Sequence, residues 1–187
     1  MNIELPFERI PATENPLSAD VVVIKQGGTA YIFDVGESDE AYDYINQIEE
    51  KKVVILSHFH RDHCFNLSRL KVDEIYGGKE TIRHTKSGVV VRDEISLGND
   101  INLIPLPSSH CKGCIALLYK DFLFVGDALY PGIEKGDEKF NPQIMDNTIK
   151  TLENIDFKYF CISHRKLFIN PKDAIMRWLR YTRNNLK

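Results

Sequence analysis

The chain has 187 residues, 43% of them hydrophobic, and a formal net charge of −3. That length suits one ordinary domain with a real core, taken here as residues 1–187. The weak negative charge gives no reason to expect nucleic acid or an anionic membrane as partner. Met1–Phe7 carries neither a basic leader nor a long apolar stretch, and no run approaches the roughly 20 apolar residues of a spanning helix. A cytoplasmic protein is expected, with Cys64, Cys111, Cys114 and Cys161 as reduced thiols.

In chain order, prolines 6, 11 and 16 predict an irregular or edge-strand approach over residues 1–20. Val21–Lys25 and Ala30–Asp34 read as strands joined by a hairpin turn at Gln26–Thr29. Asp34-Val35-Gly36 stops the second strand abruptly. Ser38 is a helix N-cap followed by acids, with Ala41, Tyr44, Ile45 and Ile48 as the buried stripe. Val53-Val54-Ile55-Leu56 is a fully apolar strand. It runs straight into Ser57-His58-Phe59-His60-Arg61-Asp62-His63, which holds half of the chain's six histidines. On an extended backbone His58 and His60 share one side, and Asp62 and His63 follow where the chain turns. A strand end offering two slightly displaced pairs of N and O donors suits two adjacent metal ions.

Farther on, Cys64–Leu67 begins a short helix, Glu74–Gly78 is a strand, and 79–87 is a short helix or loop carrying His84, a surface residue. Gly88–Arg92 and Ile101–Leu106 are expected to belong to a second sheet, joined through the turn at Leu97–Asp100. His110 comes just past that pair. Cys114–Tyr119 and Phe122–Val125 form a hairpin closed by Gly126-Asp127. Residues 130–140 have no period and read as a mobile loop. Asn141-Pro142 and Asn170-Pro171 each start a helix. Met145, Ile149, Leu152 and Ile155 face inward from the first; Ile175, Trp178, Leu179 and Leu186 dock the second. Arg177, Arg180 and Arg183 are expected as solvated charges. Tyr159–Ile162 is the last strand, with Cys161 in the core, and Ser163-His164 ends it.

The pattern His-x-His-x-Asp-His, with His110, Asp127 and His164 downstream, resembles the metallo-β-lactamase superfamily over roughly Val21 to His164. The resemblance implies an α+β fold, a four-layer αββα sandwich of two mostly antiparallel sheets with helices outside. It assigns His58, His60 and His110 to one metal and Asp62, His63 and His164 to a second, with Asp127 bridging. It also places Asp34 beneath the metals as a supporting residue. Imidazoles and carboxylates suit zinc, with iron and manganese as alternatives. The implied activity is hydrolysis of an ester, thioester, lactone or similar bond in a small molecule by a metal-bridging hydroxide, with Asp62 orienting it or taking its proton. Tyr130 or Lys135 would contact substrate from the 130–140 loop. The substrate and oligomeric state are not encoded in these motifs.

Two features depart from the family pattern. A Cys-x-x-Cys, Cys111 to Cys114, stands beside His110, where a redox or soft-metal role competes with packing. The chain also ends one helix after His164, without the glutathione-binding helical domain of glyoxalase II-like members. The alternative readings are a mononuclear iron redox enzyme, sulfur dioxygenase-like, and a non-catalytic binding module of the same fold.

Overall fold

The computed structural model describes residues 5–186. Met1–Glu4, part of the irregular approach read above, lie outside them. The chain enters through an edge strand, β1 (Glu8–Ile10), and a small hairpin, β2 (Thr13–Glu14) with β3 (Leu17–Ser18). β4 (Val21–Gln26) and β5 (Thr29–Phe33) form the expected antiparallel hairpin. Gly27 and Gly28 both take positive φ at its turn, where a Cβ would be strained.

From β5 the chain crosses the sheet face in α1 (Asp39–Asn46) before β6 (Lys51–Leu56). The Ser38 side chain accepts from the Ala41 N–H at the start of α1, the N-cap the sequence predicts. A short helix, α2 (Arg61–Cys64), and a 3₁₀ turn (Phe65–Arg69) lead to β7 (Glu74–Gly77), and α3 (Lys79–Thr85) leads to β8 (Val89–Val90). The six strands run in the order β1-β4-β5-β6-β7-β8. This sheet is not mostly antiparallel: β5–β6, β6–β7 and β7–β8 are all parallel pairs. Each of those connections crosses over the sheet instead of turning in a tight hairpin, so the next strand starts from the same edge.

The second sheet is built from β9 (Ile95–Gly98), β10 (Ile101–Pro105), β11 (Ile115–Tyr119) and β12 (Phe122–Gly126), successive antiparallel neighbours. A detached ribbon follows, β13 (Gly132–Glu134) with β14 (Asp137–Lys139), then α4 (Pro142–Glu153). β15 (Tyr159–Ile162) returns parallel to β12, β16 (Ile169–Pro171) turns back on it, and α5 (Lys172–Asn184) closes the chain.

Three expectations change here. Gly88–Arg92 does not join the second sheet; its residues 89–90 extend the first one beyond β7, and β9 takes the place beside β10. Residues 130–140, read as a loop, contain a paired β-ribbon that is exposed along nearly its whole length. Asn170 is not a helix cap: it lies in β16, its amide donating to Leu167 O and Phe168 O, while Pro171 occupies the N-cap position of α5.

The sheets face each other across a core that includes Val22, Phe33, Ile55, Leu103, Leu117 and Phe124. The opposite residues of the same strands face the helices. Val21, Ile32 and Val54 pack with Ala41 and Ile45 of α1. Leu123, Val125 and Phe160 pack with Met145, Leu152, Ile175 and Leu179 of α4 and α5. Both faces of β6 and β12 are therefore dry, which is why both read as unbroken apolar runs. The result is the αββα sandwich. Two of the arginines expected as solvated charges tie α5 to α4, Arg180 to Glu153 and Arg183 to Asp146, exposed pairs that solvent screens and that add little to stability. Among the described residues no helix is long and apolar enough to cross a membrane.

Candidate metal centre

The strand ends converge at one edge of the sandwich. β6 delivers His58 and His60 directly, and α2 presents Asp62 and His63 one turn later. His110 stands on the loop between β10 and β11, Asp127 is the residue after β12, and His164 comes two residues after β15. Backbone bonds clamp these ends together: Ile115 N–H donates to Ser57 O, and Ser163 N–H donates to Gly126 O.

All seven predicted donors meet, in two adjoining groups. His58, His60 and His110 form one; Asp62, His63, Asp127 and His164 form the other, with the donor atoms of each group within 4.8 Å of one another. His60 Nδ1 is 3.0 Å from His110 Nε2. His164 Nε2 is 3.0 Å from Asp62 Oδ2. Asp127 Oδ2 lies 3.3 Å from His63 Nε2 and 3.7 Å from His110 Nε2, between the two groups. Two donors bound tetrahedrally to one zinc at about 2.0–2.2 Å would stand about 3.3–3.5 Å apart; these gaps bracket that spacing. His58 Nε2, His63 Nε2 and Asp127 Oδ1 are buried with no hydrogen-bond partner. Orphaned buried polar atoms are costly, and three of them on residues of these donor groups fit a cation as partner.

Asp34 sets up these lone pairs. It is fully buried at the end of the hairpin, at φ 57°. Oδ1 accepts from Ser57 N–H at 2.7 Å, and Oδ2 accepts from the Ser57 hydroxyl at 2.7 Å. Oδ2 also lies 2.8 Å from His63 Nδ1, which donates to it. With its own proton turned to Asp34, the Ser57 oxygen accepts from His58 Nδ1 at 3.0 Å. One carboxylate thus places the protons of both imidazoles on Nδ1 and leaves both Nε2 atoms free as donors. His110 Nδ1 donates to Pro131 O at 3.1 Å, with the same outcome.

Burial, reinforced by the surrounding imidazoles, pushes His58 well below the usual histidine range, so it stays neutral. Burial opposes the proton on His63 as well, but Asp34 and Asp127 outweigh it and hold the group well above that range. His164 is likewise raised despite burial, through its bond to Asp62. Burial would lift Asp62, yet His164 and His63 keep its carboxyl below the usual range. The acids that favour a proton on these rings are those that would share a cation with them.

Some supporting residues escape the sequence reading. Asp20 is buried; its Oδ2 accepts from Ser163 Oγ and from the His164 N–H, and its Oδ1 pairs with Arg9. It fixes the turn in which His164 takes φ 59°. The only sequence cue is an acid abutting the apolar run at Val21. Tyr130 is tied to the same turn, its hydroxyl donating to Ser163 O at 2.8 Å, so it braces the site. Lys135 lies at the exposed tip of the β13–β14 ribbon. Cys111 and Cys114 face each other at 3.5 Å and neither belongs to a donor group. His84 stacks on Phe59, with ring centroids 4.3 Å apart. Cys64 is half-buried and Cys161 is in the core.

Gly126 makes Asp127's position attainable. It has φ 52°, and a Cβ there would meet Ser57 Cβ at 2.6 Å and overlap Ser57 Oγ. Gly126→Ala is expected to lower stability by about 2–4 kcal/mol, from the left-handed backbone and overpacking together. Urea unfolding of the metal-free protein checks this, and a loss below about 1 kcal/mol would show that Ser57 yields freely.

A family model described as the metallo-beta-lactamase superfamily matches residues 15–76, which include Asp34 and the histidine cluster. The hydroxyacylglutathione hydrolase of Shewanella loihica is 28% identical over 144 residues, 71% of this chain and 55% of that protein. That of Shewanella pealeana is 31% identical over 110 residues, 54% of this chain and 41% of that protein. The chain spans about half the length of these curated relatives. Among solved structures, ETHE1 from Myxococcus xanthus superposes with a TM-score of 0.69 at 17% identity, covering 98% of this chain and 92% of that one; at that identity the likeness concerns the fold.

Proposed function

We propose that the chain is a member of the metallo-β-lactamase superfamily, a reading supported by the family model over residues 15–76, and that it is a binuclear metallohydrolase, with residues 1–187 as one domain, that cleaves a thioester or ester in a small molecule. The observation that carries this reading is the pair of abutting donor groups, in which His58 Nε2 and His63 Nε2 are buried and unpartnered and Asp127 Oδ2 stands between the groups. His58, His60 and His110 would hold one cation, and Asp62, His63 and His164 the other, with Asp127 between. Zinc is the cation this imidazole-rich set suits best. Two bound divalent cations supply Lewis acidity and a nucleophile at neutral pH by acidifying water.

The protein's own groups do the rest. Asp34 and Ser57 fix the Nδ1 protons of His63 and His58, so both rings turn Nε2 toward the site, and a cation binding there displaces the second proton that the neighbouring acids favour on His63. Asp62 is half-buried and its Oδ2 lies within 3.4 Å of both His63 and His164. A carboxylate held there orients an attacking water and accepts its proton. The similarity to hydroxyacylglutathione hydrolases favours the thioester over the lactone and phosphodiester alternatives.

Zinc-loaded protein is expected to turn over members of a thioester and ester panel, to lose that activity to a chelator and to regain it with zinc. No turnover of any thioester, ester, lactone or phosphodiester would overturn the proposal. One iron per chain together with oxygen uptake would instead support the iron redox reading, since imidazole and carboxylate donors accept iron as well.

A further inference from the structure

The segment that delivers His164 continues as Arg165-Lys166-Leu167, and the mechanism uses none of these three. A cavity of about 690 Å³ is lined jointly by Asp62, Asp127 and His164 and by Arg165 and Lys166. Because His164 takes a left-handed φ of 59°, the chain turns sharply there and puts both cations on the wall beside the donor groups. Arg165 is half-buried, with its guanidinium 5.0 Å over the ring of Trp178. Such a face contact holds the guanidinium in place; one of its edges faces the Tyr130 hydroxyl, and its five N–H groups leave others for a ligand. Lys166 is exposed.

The remaining charges of the cavity sort differently. Arg9 is already spent on buried Asp20, at 2.6 Å. Glu14, on the small β2–β3 hairpin, is exposed. Among the described residues no carboxylate pairs with Arg165 or Lys166. Two cations free of ion pairs, one of them pre-positioned on an aromatic ring, thus share a cavity with the reacting centre. Asp62 and Asp127 would repel an anion entering that cavity, but as cation ligands they are neutralised.

We propose that Arg165 and Lys166 form an anion subsite and that the substrate is a thioester or ester bearing a carboxylate or phosphate on its non-reacting part. This rests on the hydrolase reading above. The planar guanidinium matches the two-oxygen edge of either anion, and the flexible ammonium adds a second charge-assisted hydrogen bond. Leu17, 55% exposed on the facing hairpin and lining the same cavity, offers apolar contact to the chain joining anion and acyl carbon.

The test uses the zinc-loaded full chain and matched thioesters whose non-reacting ends are neutral, carboxylate, phosphate or ammonium. The anionic members are expected to exceed the neutral one in kcat/KM by about 10-fold or more, with the ammonium member poorest. Arg165→Gln and Lys166→Gln should each remove about 3–10-fold of that preference through KM, leave the neutral thioester unchanged, and weaken the salt dependence. The better of the carboxylate and phosphate members identifies the anion. Equal kcat/KM for neutral and anionic thioesters would overturn the subsite and leave the hydrolase intact.

A second readout does not need turnover. Trp178 is the chain's one tryptophan, so its fluorescence reports on Arg165. Titration with an unreactive thioether carrying the same anion should change that emission, with a Kd about 10-fold weaker in the double variant. If no thioester is cleaved but this Arg165-dependent binding is seen, the hydrolase reading fails and the anion subsite stands. If neither is seen, both fail.

Discussion

Asp62→Asn is expected to lower kcat by about 1,000-fold or more on whichever thioester the zinc-loaded protein hydrolyses. Asparagine keeps the shape and still offers His164 Nε2 an acceptor, so the 3.0 Å contact survives. It removes the charge that would hold a cation beside His63 and the base that would take a proton from water. General-base removal alone is worth about 100–10,000-fold, and a weakened ligand adds to it. The side chain is only 15% exposed and is paired with His164 and His63, so the metal-free variant is expected to be less stable, and kcat is compared on protein shown by urea unfolding to be folded. A kcat within 10-fold of wild type would remove Asp62 from the chemistry.

Asp34→Asn is expected to weaken metal binding by about 10–100-fold without touching a ligand. The fully buried carboxylate takes three donors, Ser57 N–H, Ser57 O–H and His63 Nδ1–H. An amide offers one oxygen and one NH₂ group, so at least one of those donors must face another donor. The tautomers of His63 and, through Ser57, of His58 then lose their anchor. Asparagine tolerates the φ of 57° at this position, which keeps backbone strain out of the comparison. Competition with a chromophoric chelator measures the affinity. An unchanged value would mean that the two rings hold their tautomers without Asp34.

Much of this site is legible along the chain because the first and bridging donors follow strands buried on both faces. Val53–Leu56 before His58 and Phe122–Val125 before Asp127 read as apolar runs for that reason, and the polar residue after each run marks the sheet edge. Asp34 is legible only through the family resemblance, on its Asp-x-Gly turn. What escaped has no local signature. Val89-Val90 reads as a strand, but nothing in its own pattern says that β7, and not β10, is its neighbour. The β13–β14 ribbon is exposed on both faces, so it has no alternation to read. Asp20 acts on Ser163 and His164, more than 140 positions away. The turn of backbone that presents Arg165 depends on a left-handed histidine, which residue type alone does not announce.

The central claim is that seven side chains from distant segments hold two cations side by side. Metal analysis of the purified native protein by mass spectrometry, normalised to chain concentration, tests it most directly. Two divalent cations per chain are expected, falling toward one in His164→Ala. A folded wild-type chain that carries none, or that saturates at one, would contradict the account.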